Sequence, residues 1–119
     1  MKMARAVSGV LIVVGLWEAL APFILGYPNT ATALWNALLI GVILFTLELS
    51  ALILDDIYAY RTLDWISALL GLWLVVALFI PGYTAPPVAV WNDMTVGLLV
   101  IELAGWTAIG LGRPTTGHL

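Results

Sequence analysis

Three carboxylates, Glu18, Glu48 and Glu102, stand inside long apolar stretches of this 119-residue chain. Their chemistry is what the sequence has to explain. A carboxylate at the centre of a span costs at least ~2.5 kcal/mol on insertion scales, at least for Asp, so such a group is a functional hypothesis by default. No Lys or Arg lies deep enough to neutralise them. They should therefore be protonated or hydrogen-bonded, and the roles open to them are proton coupling or contact with a partner. Glu18 stands eight residues before Gly26, roughly 12 Å from one end of its segment; Glu48 stands seven before Asp55, roughly 10 Å from the other. Glu102 falls near the middle of its segment. Since the three are not level, a carboxylate dyad or shared metal cage is not expected.

Angular position separates them further. Glu48 follows Gly41 by seven residues and shares its helix face, pointing at a neighbouring helix. Glu102 follows Gly97 by five, about 140° away at ~100° per residue, and points outward. That makes it the better candidate for contact with another protein, against a protonated group facing lipid. For Glu18 and Glu48 the bland reading is structural hydrogen bonding, weighed against proton or substrate coupling. Asp93, in Trp91-Asn92-Asp93, reads as a dipole-favoured or interface-solvated acid near the surface. His118 is the one histidine and lies in the final stretch, so no span offers an axial haem ligand. The chain has no cysteine, phosphate loop, catalytic triad or metal-ligand spacing. No catalytic residue, cofactor or metal is expected.

The elements that hold these groups follow from composition. The chain is 63% hydrophobic and 9% charged, with mean hydropathy +1.10, where a soluble domain carries about 25% charged residues. Lipid must be its solvent. A net charge of −3 with four basic residues excludes a nucleic-acid footprint. The basic start and apolar run resemble a signal peptide, but the run is too long and reads as a retained helix. Apolar segments over 4–25, 31–54, 63–80 and 88–111 are each long enough to cross a bilayer. Thr62 reads as an N-cap that places Asp64 in a first helical turn, and Asn29 or Thr30 caps the second segment. Pro22 falls in a last turn, and Pro87 suits the first position of a helix.

The segments are duplicated. Residues 15–41 align without a gap on 71–97, and twelve of twenty-seven positions are identical, Gly-Leu-Trp, Gly-Tyr and Trp-Asn among them. The expected fold is an all-α membrane protein: four transmembrane helices as two tandem, parallel-oriented hairpins with pseudo-twofold symmetry along the membrane normal. It forms one transmembrane domain, with repeat one at 4–54, a cytoplasmic connector at 55–62, repeat two at 63–111 and a tail at 112–119. Small residues mark the packing faces: Gly15 and Ala19, then Ala33, Ala37 and Gly41, then Ser67 and Gly71, then Ala89 and Gly97. Trp17 and Trp73 beside these glycines read as structural. Lys2, Arg5, Arg61 and Arg113 fall on one side, which the positive-inside rule makes cytoplasmic, with both termini there. Tyr27, Trp35, Tyr83 and Trp91 would anchor the outer interface, and Tyr58, Tyr60 and Trp65 the inner one.

The doubled Gly-Leu-Trp … Gly-Tyr … Trp-Asn … Gly pattern resembles the SPW repeat family of small prokaryotic membrane proteins, over nearly the whole chain. The chain departs from the Ser-Pro-Trp signature, with Ala21-Pro22-Phe23 in one copy and Ala77-Leu78-Phe79 in the other. The resemblance implies the fold and a prokaryotic cytoplasmic membrane, and little about activity. Two functions remain open. One is a non-catalytic accessory or structural subunit docking to a larger membrane complex, such as a respiratory or photosynthetic one. The other is a small proton-coupled transporter acting as a homo-oligomer through Glu18 or Glu48, a design similar to that of small multidrug exporters. The partners expected are the lipid bilayer and other membrane subunits or further copies of the chain, and no nucleic acid.

Overall fold

The computed structural model describes residues 2–26, 31–83 and 85–112, with side chains described as far as Gly110. The readings placed on Tyr27, Asn29, Thr30, Arg113 and His118 lie outside these residues. Four helices make up nearly all of the described chain: α1 (Lys2–Leu25), α2 (Ala31–Leu54), α3 (Ile57–Ala77) and α4 (Pro87–Gly112). Each is long and apolar enough to cross a membrane. Large apolar side chains such as Val13, Phe23, Ile53 and Leu69 cover the outside of the bundle, a surface suited to lipid tails.

The breaks between helices have local causes. Gly26 after α1 and Gly82 after α3 take φ of +85° and +88°, a conformation glycine adopts without steric cost. The α2–α3 join consists of Asp55 and Asp56 alone. Asp55 adopts φ 49° while its amide bonds the Ala51 carbonyl at 2.8 Å, and Asp56 is the extended N-cap of α3. The connector is thus much shorter than 55–62. Tyr60 N–H donates to the Asp56 carbonyl at 2.9 Å and opens the helix there, so Thr62 and Asp64 lie inside α3 and neither caps it. Polar and aromatic residues that look loop-like in sequence are continuing a helix into the interfacial layer. At its far end α3 stops at Ala77, short of residue 80. The amides of Leu78, Phe79 and Ile80 bond carbonyls three residues back, at 3.3, 3.0 and 3.2 Å, and Pro81 disfavours helical geometry in the residue before it. Pro87 opens α4, a position where its missing N–H costs nothing.

Helix α1 packs chiefly on α2 and α3 on α4, and α1–α4 and α2–α3 contacts complete the bundle. Lipid tails match apolar side chains in character, so close approach has to hold helices together. It is closest at the paired glycines. A Cβ on Gly41 would stand 2.5 Å from the Ala19 nitrogen and 2.6 Å from the Gly15 carbonyl oxygen. One on Gly97 would stand 2.7 Å from the Gly71 carbonyl oxygen. Ala33, Ala37 and Ala89 are fully buried. Leu11, Leu44, Leu74 and Val100, one from each helix, fill the interior and are buried in one cluster.

Because backbone atoms cannot step aside, Gly41→Ala should lower stability by about 1–3 kcal/mol. Reversible unfolding in mixed detergent–SDS micelles measures this. Gly105→Ala, whose new Cβ meets nothing within 4 Å, should stay within about 0.5 kcal/mol of the parent.

Candidate functional site

The buried polar groups form two clusters, one toward each end of the bundle. At the end holding the chain's start, Glu48 on α2 is fully buried. It accepts hydrogen bonds from Ser8 of α1 at 2.8 Å and Ser67 of α3 at 2.6 Å. Asp64 on α3 is also fully buried and faces the Glu48 carboxyl. Both Asp64 oxygens lack any other partner. Outside this cluster Arg5 clasps Asp55 with two bonds, of 2.9 and 2.7 Å, and Tyr60 donates to the same carboxylate at 2.8 Å. Tyr60 is thereby buried instead of anchoring the interface. Tyr58 and Trp65 remain exposed.

The second cluster lies about ten residues further along α1, roughly 15 Å away. Glu18 on α1 and Asp93 on α4 are both fully buried and face each other. Asn92 donates to Glu18 Oε1 at 2.9 Å and accepts from the Trp17 indole at 2.8 Å. Tyr83 reaches Asp93 from the α3–α4 loop and accepts from Asn36 of α2 at 3.3 Å. Burial, then the Asp93 carboxyl, pushes the Tyr83 phenol up to about 12, so it remains an O–H donor. Trp73 on α3 completes the chain by donating to Asn36 at 2.8 Å. One polar network therefore touches all four helices. The Trp17 ring borders an apolar groove between α1 and α4, with Val13, Trp91 and Leu99 beside it.

Asp93 is the main correction to the sequence reading: it is a buried member of a carboxyl pair, not a solvated interfacial acid. The three glutamates do not pair with one another, but Glu18 and Glu48 each pair with an aspartate, so carboxyl dyads are present where the sequence reading expects none. A helix start at Thr62 would put Asp64 in a first turn, which hides it as a partner; with α3 starting at Ile57 it lies two turns in. Depth carried the missing signal. Glu48 and Asp64 lie seven or eight residues on either side of Asp55-Asp56, and in an antiparallel helix pair equal distance from the turn means equal depth. Glu102 is exposed on α4, away from both clusters, with no hydrogen-bond partner among the described residues. Of the outer aromatic residues, Trp35 and Trp91 are exposed and Tyr83 is half-buried.

Chemically, each pair can hold a proton between its two carboxyls, which supplies the donor that the orphan oxygens lack. The described residues include no group of three or more His, Cys, Asp or Glu able to hold a metal.

A family model, the SPW repeat domain, matches residues 5–107. The chain belongs to the SPW repeat family. No curated protein and no solved structure matches it. As a member of the SPW repeat family with four membrane-length apolar helices, it is a small integral membrane protein. The match takes in both carboxyl pairs, Glu102 and most of each of the four helices. In place of the Ser-Pro-Trp signature, Ala21 and Pro22 are buried and Phe23 is exposed.

Two measurements check this site. Ser8→Ala and Ser67→Ala should each cost about 0.5–1.5 kcal/mol in the same unfolding assay. The double variant should cost less than the sum, because both hydroxyls serve one carboxylate. At the surface, the hydrogen bonds from Arg5 and then Tyr60 hold the Asp55 carboxyl below the usual carboxylate range. A depressed folded-state value adds stability that is present above about pH 4 and is lost as pH falls through that value. Asp55→Asn should therefore flatten the acid limb of the stability profile and leave its neutral limb parallel to the parent's.

Proposed function

We propose that this protein is a non-catalytic membrane subunit that docks to a larger assembly in a prokaryotic cytoplasmic membrane. In this reading it consists of two like-oriented hairpins related by a pseudo-twofold along the membrane normal. Support comes from contacts that recur at the repeat spacing. The bonds Trp17 to Asn92 and Trp73 to Asn36 exchange partners between the halves. The Gly15–Gly41 and Gly71–Gly97 contacts correspond, as do the left-handed Gly26 and Gly82. Arg5 lies against Asp55 and Arg61 stands in the second turn of α3, which favours a cytoplasmic location for the chain's start and the α2–α3 join.

The observation that carries the subunit reading is the apolar layer between the two carboxyl pairs. Leu11 lies between Ser8 and Glu18 along α1 and Leu44 between Asn36 and Glu48 along α2, and both belong to one buried apolar cluster with Val96 and Val100 of α4, so apolar side chains fill the interior between the pairs. The polar clusters tie helices together on either side of it. The pairs themselves favour a second reading, a proton-coupled transporter acting as a homo-oligomer, because buried ionisable groups are the usual components of proton relays.

Vesicles loaded with a pH-sensitive dye separate the two. As a subunit the protein gives no proton flux above protein-free vesicles, and extraction from its native membrane in mild detergent brings a stoichiometric larger partner with it. Flux that disappears in Glu18→Gln or Glu48→Gln would overturn the subunit reading.

A further inference from the structure

Glu102 is the one carboxyl within a span that the bundle leaves outside. It stands about 22 Å from the start of α4 and about 15 Å from its end, exposed among Leu98, Trp106 and Ile109, all exposed as well. Each other carboxyl inside the helices, Glu18, Glu48, Asp64 and Asp93, is buried against partner side chains. Hydrocarbon supplies neither donor nor cation, so Glu102 needs a contact that its own chain does not provide.

A second, independent feature lies one turn along the same face. Gly15, Gly41, Gly71 and Gly97 are all filled by backbone or side chains of neighbouring helices, whereas a Cβ on Gly105 would meet nothing within 4 Å, as on Gly9 and Gly110, and of these three Gly105 is the one within a turn of Glu102. Gly105 is within about 60° of Glu102 around the helix. A glycine in this position lets a second helix come near enough for a side chain to reach the carboxyl. We infer that the Glu102–Gly105 face of α4 receives a transmembrane helix of another protein, and that this helix carries a Lys or Arg at mid-membrane depth.

Charge complementarity selects that occupant. The chain's four basic residues are Lys2, Arg5, Arg61 and Arg113. Lys2 and Arg5 stand in the first turn of α1 and Arg61 in the second turn of α3, and Arg113 follows α4 in sequence, so another copy of the chain could offer Glu102 a second carboxyl but no cation. The inference rests on the subunit reading and names the chemistry of the partner.

The test uses the full chain in phosphatidylcholine vesicles with fluorescent polyleucine peptides of about 20 residues, bearing Lys, Gln or Leu at the centre. Energy transfer should report binding of the Lys peptide roughly tenfold tighter than the Leu peptide, the size an interhelical polar contact reaches. Glu102→Leu should abolish the preference, and Glu102→Lys should transfer it to a peptide with a central Glu. Both variants change a side chain outside the bundle, and unchanged helical circular dichroism verifies their fold. Equal binding of the three peptides overturns the inference. So does loss of energy transfer between two labelled copies of the chain in Glu102→Leu, which would assign the face to self-association. The dye-loaded vesicles report on the subunit reading separately, so failure of one is distinguishable from failure of the other.

Discussion

A bilayer interior cannot satisfy a hydrogen bond, and the arrangement of this bundle follows from that. Any polar group taken into the hydrocarbon has to find its partner on another helix or on its own backbone. Thr46 and Thr107 take the second course, donating to the carbonyls of Val42 and Leu103. The carboxyls take the first. Glu48 collects hydroxyls from two neighbouring helices and faces an aspartate, and Glu18 draws on an asparagine and a second aspartate. Such bonds are individually modest in membranes, averaging about 0.6 kcal/mol. Their direction matters more than their strength, since a carboxyl with two hydroxyl partners fixes the rotation of three helices at once.

Glycine contacts and polar contacts divide the work by depth. Between the two carboxyl clusters, backbones meet at Gly15–Gly41 and Gly71–Gly97, and Leu and Val fill the interior. Toward either end, where side chains are close enough to the interface to be polar, the carboxyl clusters take over. Trp17 and Trp73 join the two regimes. Each stands two residues past a packing glycine, turns its indole N–H inward to an asparagine and leaves its ring partly toward lipid. This is how amphipathic aromatic residues serve a membrane protein.

The sequence makes some of this legible and hides the rest for identifiable reasons. Four apolar helices follow from composition and segment length, and the internal repeat makes the Trp and Asn residues conspicuous. The start of α3 is hidden because Tyr58, Tyr60, Arg61 and Thr62 are polar or aromatic, and residue type does not separate an interfacial helix end from a loop. Asp93 is hidden by its position beside Trp91, an interfacial marker, although it occupies the middle place of the stripe Ala89, Asp93 and Gly97, a place where a side chain must point inward. Pairing across helices is a matter of relative depth. Single-helix faces do not encode it, which is why Asp64 and Glu48 read as unrelated.

The two-residue join between α2 and α3 has a consequence for how little glue the bundle needs. A tether that short keeps the second helix pair at very high local concentration beside the first, and association within one chain then replaces a bimolecular encounter. Contacts too weak to assemble two separate helix pairs in a crowded membrane suffice once Asp55 and Asp56 hold the ends together.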